Sequence, residues 1–463
     1  MKNKLFILSF LCVSAFLSAQ DNLSKAQQLE QIGLYKLPDP EDLKNLILKE
    51  NQMEVSAIST SDISPDFSNI DDLQWLKKPA RQNKVIMLGE NHYHNYIHNL
   101  RHRMFFALNQ FDYYPLIVLE MQYSLTAYVN YYLSIKNEQK AKQFFDDELS
   151  HMVTSQEDYN LFLYIRKWNT LHPEKPLKAG CSDLEHDYKT TIERIILPYL
   201  NMVEKDTDTH LENLMQRELG SLIAVYKKRL KKAAKKNLTG KYPFITPTYI
   251  KTVIDNLESL HKAYYYDFNT YRQIAIVRNL TGREFLGKYW KGKKMFLHGG
   301  NYHLTSQVKY PDQKNFLREG SYLNFEYPET KGKTYAVQVT GLARSLEDMA
   351  NISLDSCIHV GRAYRQTTDK FQTAYQKNLI LPDDNYIEWK IGSIDSLIVK
   401  KAFTNNTTGV IIEKTHWPLM LQDMKEENMN EYNYLKYRKD QEMRYDKIIY
   451  FIKSPLIRAR IKE

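Results

Sequence analysis

Five short apolar runs punctuate an otherwise mixed chain. Lys84-Val85-Ile86-Met87-Leu88 is closed by Gly89, and Pro115-Leu116-Ile117-Val118-Leu119 by Glu120. Pro176-Leu177-Lys178-Ala179-Gly180-Cys181 runs into Ser182-Asp183, and Lys294-Met295-Phe296-Leu297 into His298-Gly299-Gly300-Asn301-Tyr302-His303. Tyr335 to Val339 is the fifth. Runs this short, and continuous rather than alternating, suit strands buried on both faces, as in a parallel sheet. Between them the period becomes helical: roughly His94 to Gln110, about 124–171, and most of 186–290, with a break near Gly240 to Pro247. Strands alternating with helices predict an α/β fold, a mainly parallel sheet flanked by helices. The stretch of about 186–290 is long for one crossover and reads as a large helical insertion.

The regions outside 84–345 are different. Residues 1–19 have the form of a signal peptide: Lys2 and Lys4, an apolar stretch from Leu5 to Phe16, then Ser18-Ala19-Gln20 for cleavage after Ala19. The stretch is too short to span a membrane, and Cys12 lacks the small residues that precede a lipidated cysteine. The expected destination is the periplasm or the medium. Residues 20–83 are polar and helical in part, with Pro38-Asp39-Pro40-Glu41-Asp42 turning into a helix and Ser56 to Asn69 a loop. The C-terminal region, 346–463, is rich in Tyr and Lys and shows no readable chemistry; its role is open. No internal repeat or low-complexity tract is present.

Composition narrows the function classes. A hydrophobic content of 43% in 463 residues is enough for a sizeable core. After the signal only Cys181 and Cys357 remain, which excludes a disulfide scaffold and a CxxC metal knuckle, and whose pairing the spacing leaves open. The net charge of +9 gathers in patches, one at Lys227-Lys228-Arg229-Leu230-Lys231-Lys232-Ala233-Ala234-Lys235-Lys236 and one between Lys436 and Lys462. Their plain reading is a solvated helix face; the other is peripheral contact with lipid headgroups or an acidic partner. An exported chain with no binding motif is not expected to bind nucleic acid. No Gly-x-Ser-x-Gly elbow, phosphate loop or dinucleotide fingerprint follows a strand.

Chemistry is expected where the strands end, because open α/β sheets place ligands beyond the carboxyl ends of their strands. Glu90 and His92 follow the first run, Glu120 the second, Asp183 the third, and His298, Asn301 and His303 the fourth. A carboxylate and an imidazole can share proton transfer, and a second histidine can polarise a carbonyl or bind a metal. His92, Glu120 and His303 are therefore also a candidate set of ligands for a divalent metal. Asp183, His298 and Asn301 are candidates for substrate contact. His94, His98 and His102, spaced i, i+4, share one helix face, either as a metal site or as a packed stripe.

These residues also form a recognisable set. Val85-Ile-Met-Leu-Gly-Glu-Asn-His92 with Tyr93-His94-Asn95 and His98 resembles the opening motif of the erythromycin-esterase-like and ChaN-like superfamily, to which the TraB and TIKI proteins are related. The two Gly-x-x-His motifs, Gly89 to His92 and Gly300 to His303, Leu116 to Glu120, Gly180-Cys181-Ser182-Asp183 and Arg318 to Leu323 with Tyr335 to Val339 are similar to its later motifs, in order. Tyr271 to Asn279 resembles its helix with the Arg-Asp…Met pattern, although Gln273 and Val277 depart from that pattern, so that only Arg272 carries over. The resemblance covers roughly 84–345 and implies the α/β fold. Its branches imply different activities: lactone hydrolysis by a Glu- and His-activated water, metal-dependent proteolysis of a peptide, or haem binding without turnover. The expectation taken forward is an exported hydrolase of an ester, lactone or amide, with a small-molecule or peptide substrate. His92 would be the base, Glu90 or Glu120 would orient it, and His303 and Arg272 would stabilise the oxyanion. No cofactor is certain; a divalent metal or haem is the alternative.

Overall fold

All five apolar runs are strands in the computed structural model, which describes residues 55–92, 94–203, 218–236, 238–301, 303–306, 318–343, 409–412, 445–454, 457–458 and 460. They are β2 (Val85–Glu90), β3 (Leu116–Gln122), β4 (Lys178–Asp183), β5 (Met295–Gly300) and β6 (Thr334–Ala343); β1 (Val55–Ala57), β7 (Gly409–Ile412) and β8 (Lys447–Ser454) complete the sheet. Its order is β1-β7-β8-β6-β2-β5-β3-β4. From β8 to β4 every neighbouring pair is parallel, and β7 and β1 close the edge antiparallel. The segments assigned to the signal peptide and to most of the C-terminal region lie outside the described residues.

Side chains alternate across the sheet with period two. Ile86, Leu88, Ile117, Leu119 and Phe296 pack on one face, with Leu100, Met104 and Phe105 of α1 (Asn95–Phe111). Val85, Met87, Leu116, Val118, Met295 and Leu297 pack on the other, with Ile276, Leu280 and Trp290. Both faces are covered, which is why these runs are continuously apolar. Each such side chain stabilises the fold by roughly 1.5–3 kcal/mol on burial.

The helical insertion contains α2 (Leu219–Lys235), α3 (Pro247–Tyr265) and α4 (Phe268–Thr281). The predicted break before Pro247 is a helix start: the Thr246 hydroxyl accepts from the Tyr249 amide at 3.2 Å and proline takes the first turn, where its missing N–H costs nothing. Asp267 caps α4 in the same way, accepting from the Thr270 amide at 2.6 Å. That cap fixes where α4 begins, and so places Arg272 one turn in. On α2, Leu219, Ile223, Tyr226, Leu230 and Ala233 are buried at helical spacing, and Lys228, Lys231, Lys232, Lys235 and Lys236 stand on the other faces. Among the described residues no helix is long and apolar enough to cross a membrane.

One outcome differs from expectation, and two concern points that the sequence leaves open. β2 and β5 run two to three residues further than their apolar runs, so Glu90 and His298 are strand residues rather than loop residues. The C-terminal region supplies β7 and β8, with β8 hydrogen-bonded along β6. Cys181 is buried in β4 with a free thiol, and burial pushes that thiol's pKa up. Cys357 lies outside the described residues.

Candidate functional site

The parallel registers bring the strand ends to one edge: Glu90 lies opposite Gly300 and Leu119 opposite His298. Glu90 and Glu120 reach that edge on opposite faces. Glu90 continues the Ile86–Leu88 side, under α1; Glu120 continues the Leu116–Val118 side, under α4. Two half-sites result, meeting at Gly300.

The first half-site is built on Glu90, which is buried. Its Oε1 lies 2.9 Å from Nδ1 of His92, and its Oε2 lies 3.2 Å from Nε2 of His298 and 3.9 Å from Nε2 of His98. Burial alone would raise the Glu90 pKa, but His298, His92 and His98 together hold it well below the ordinary carboxylate value. The two inner histidines answer alike. Burial dominates and lowers both, His98 to about 3, so both are neutral at pH 7. Asp158, 3.8 Å from His98 and 2.8 Å from Arg101, closes the buried chain behind them. His92 is the open end, with 47% of its side chain exposed. Partial burial pulls its pKa down, but the bond to Glu90 and the charges of Glu90 and Glu120 outweigh that and raise it to about 9.

The second half-site is centred on Arg272. Its Nε and Nη2 donate to the two carboxylate oxygens of Asp183 at 2.9 and 2.8 Å, Nη2 also donates to Glu120, and Nη1 donates to Nε2 of His303 at 2.8 Å. Four of the five guanidinium N–H groups are thereby used, and one on Nη1 remains for a ligand. Glu120 accepts a second bond, from the Gly300 amide. Burial would raise both carboxyls, but at Glu120 the charges of His303 and then Arg272, and at Asp183 those of Arg272 and then His186, hold them below their ordinary range. His303 accepts at Nε2, which puts its proton on Nδ1, facing Gln273 Oε1 at 3.1 Å and Glu319 at 3.3 Å. Burial opposes protonation, yet Glu319 and Glu120 raise the His303 pKa.

Gly300 separates the halves. A Cβ there would stand 3.1 Å from His92 Nε2 and 3.4 Å from Glu120 Oε2. Gly300→Ala is expected to push the imidazole off by a few tenths of an ångström and to lower turnover by about tenfold to a hundredfold. The melting temperature should change little; paired measurement of kcat and thermal unfolding checks both.

The strand-end residues thus fall into distinct places. Glu90, His92, Glu120, Asp183, Arg272 and His303 converge on the edge. His298 does not meet the open side: it shares the face of Phe296, lies 5.8 Å ring to ring from His98, and braces Glu90 from beneath. Asn301 ties strand ends together, its amide donating to the Glu90 carbonyl at 2.8 Å and its carbonyl accepting from Tyr445. His94, His98 and His102 do not share a ligand; His102, for instance, pairs with Asp62 at 2.7 Å. Nor do His92, Glu120 and His303 fit a metal ion. His92 is bonded to Glu90, and Glu120 and His303 are bonded to the Arg272 guanidinium, which takes the cation's place. Among the described residues no three His, Cys, Asp or Glu side chains are grouped to hold a metal. Sequence reasoning missed Gln273, Glu319 and His186. The signal for Gln273 was its neighbour Arg272, one residue before it on α4; Glu319 and His186 carry no periodic signal.

No protein-family model and no curated protein matches the sequence. Among solved structures the chain is similar to a succinoglycan biosynthesis protein, at 12% identity and a TM-score of 0.50, over 91% of this chain and 100% of that one. A Bacillus cereus protein matches at 15% identity and a TM-score of 0.49, over 92% and 100%. An erythromycin esterase mutant in its open conformation matches at 15% identity and a TM-score of 0.39, over 63% and 78%. At these identities the likeness is one of fold. The chain has the α/β fold of the succinoglycan biosynthesis protein.

Proposed function

We propose that this chain is an exported hydrolase of an ester, lactone or amide bond. The observation that carries the reading is the pairing of a half-exposed His92, anchored through Nδ1 to an ionised Glu90, with an Arg272 that keeps one N–H for a ligand. His92 in its neutral form takes a proton from water through Nε2, and the water oxygen attacks the carbonyl carbon. Glu90 holds the ring and stabilises the imidazolium that forms. The remaining Nη1–H of Arg272 meets the developing oxyanion. The imidazolium then gives its proton to the leaving oxygen or nitrogen as the tetrahedral centre collapses. Glu120, Asp183 and His303 position Arg272 and do not touch the reacting atoms. The basic face of α2 is proposed as a peripheral contact with anionic surfaces, supported only by its charge.

The pH profile tests the base. A His92 pKa raised to about 9 leaves the ring protonated at neutral pH, and a protonated imidazole cannot accept a proton. With an uncharged ester such as para-nitrophenyl acetate, and with a panel of lactones and amides, kcat/KM should rise with pH and level off above about 9. Activity that falls through that range instead would make His92 a proton donor. No turnover of any member of the panel would overturn the hydrolase reading.

A further inference from the structure

Glu157 is a buried carboxylate that the proposed chemistry leaves unused. It is 1% exposed, in the first turn of the helix Gln156–Leu171. Its partners come from distant parts of the chain. Oε1 accepts from the Asn95 side-chain amide at 2.7 Å and from Arg458 Nε at 3.2 Å, and Oε2 accepts from the Arg458 backbone N–H at 3.1 Å. Arg458 and Arg460 run alongside this turn. The Gln156 N–H donates to the Arg458 carbonyl at 2.9 Å, and the Arg460 N–H donates to the Thr154 carbonyl at 2.8 Å. The Arg460 guanidinium adds a further hold, over the rings of Phe145 and Tyr159 at 4.5 and 4.3 Å and on Asp146 at 2.6 Å.

What this assembly grips is the start of α1. His94, at the N-cap, makes no capping bond through its side chain, so the usual device for fixing a first helical turn is missing. Asn95 is held instead, with Nδ2 on Glu157 and Oδ1 accepting from Asn99 one turn on at 3.1 Å. Tyr96 packs edge-on against Phe451 of β8, ring centroids 5.9 Å apart. Asp158, beside Glu157, reaches the next turn of α1 at Arg101, 2.8 Å away. His92 stands three residues before Asn95, so where α1 begins decides how its ring meets Glu90. We infer that Glu157 is a positioning residue for His92, acting through Asn95, and that Arg458 and Arg460 form the strap that keeps Glu157 in place. The placement stands apart from the hydrolase reading; its consequence for turnover rests on that reading. Stability alone is a poor account of the arrangement, because Arg458 is 67% exposed and an ion pair to so exposed a partner is worth little. What Arg458 does supply is direction: its two bonds hold both carboxylate oxygens and leave Oε1 on Asn95.

The test reads the His92 ring directly, by NMR titration of the full chain carrying ¹³C-labelled histidine, without substrate, the His92→Asn spectrum identifying the signal. Burial lowers the His92 pKa, but the bond and charge of Glu90 outweigh it and raise the value to about 9, so a ring displaced from Glu90 titrates lower. Glu120 and Arg272, the other charges that act on the ring, are unaltered in every variant. Glu157→Ala and Asn95→Ala should each lower the pKa by about one unit toward the ordinary value near 6.5. The rising limb of kcat/KM should move with it, and kcat should fall roughly tenfold. Glu157→Gln, which keeps an oxygen for Asn95, should retain most of both. Arg458→Ala should move the titration the same way but less, since its backbone N–H still reaches Oε2. Lost stability alone does not move the titration of a folded chain. An unchanged His92 pKa in the two alanine variants, with cooperative thermal unfolding, would therefore overturn the positioning role; Asn95→Ala carries the test if Glu157→Ala fails to fold. A shift in those two and none in Arg458→Ala would overturn the strap. A shifted titration in a chain that turns over no ester, lactone or amide would end the hydrolase and spare the placement.

Discussion

His92→Asn should lower kcat/KM by about a hundredfold to ten-thousandfold, the usual contribution of a positioned general base, and should leave the protein folded. The two halves of that expectation have separate causes. The loss follows from geometry: among the groups gathered at the strand ends, His92 combines an exposed ring with a carboxylate behind it. Glu120 and Asp183 are buried under Arg272 and held below the ordinary carboxylate range, which makes both poor proton acceptors. His98, on the buried face of α1, and His298, beneath that helix, are neutral but sealed from solvent. Retained folding follows from exposure, since a half-exposed side chain on a strand-end turn contributes little packing; the expected change in stability is within about 0.5 kcal/mol. Glu90 keeps His298 at 3.2 Å in the variant, so its charge is not stranded. The companion variant Glu90→Gln removes the chief cause of the raised His92 pKa, and should move the rising limb of the pH profile toward the ordinary histidine value near 6.5. Unchanged turnover in His92→Asn, measured beside its thermal unfolding curve, would remove His92 from the reaction.

How far this could be read from the sequence depends on which physical signal each residue leaves there. Strands β2, β3, β4, β5 and β6 were legible because burial on both faces of a parallel sheet forces a continuous apolar run. Their site residues were legible for the same reason, as titratable groups placed where such a run stops. β8 was not, although Ile448-Ile449-Tyr450-Phe451-Ile452 is just as apolar: the run sits in a Lys- and Tyr-rich tail with no glycine or carboxylate to close it. The division of labour within the site was also invisible. His298 and His303 both follow an apolar run, but side-chain alternation and an early turn send one beneath α1 and the other to Arg272. The candidate metal set failed on the same kind of detail. His92, Glu120 and His303 look alike on paper as ligands, yet a guanidinium from 89 residues beyond Asp183 lies between two of them. The spacing of motifs gives proximity, and the geometry of one long side chain decides what that proximity does.

Arg272→Met should be the most damaging single substitution for stability. It leaves Asp183 and Glu120, two carboxyls buried beside each other, without the cation that keeps them ionised. Removing one partner of a buried pair typically costs about 3–5 kcal/mol, because an uncompensated charge remains in a low dielectric. Here the cost is tempered by protonation: each carboxyl can rise in pKa and go neutral, and Asp183 retains His186 at 3.1 Å. The variant should therefore be less stable at pH 8 than at pH 5, because a carboxyl whose pKa is raised by folding contributes its full penalty only once the pH exceeds that pKa. The unaltered chain should show the opposite slope from these groups, since their folded pKa values are depressed and acid takes that stabilisation away. The decisive comparison adds Glu120→Gln and Asp183→Asn to Arg272→Met. That triple variant has no buried charge left at the hub and should recover much of the lost stability, yet it has no N–H for the oxyanion and should remain inactive. Chemical denaturation at the two pH values, with turnover measured alongside, separates the roles. Arg272→Met as stable as the parent at pH 8 would show that the hub carries no buried charge, and recovery of activity in the triple variant would show that Arg272 serves only to hold its neighbours.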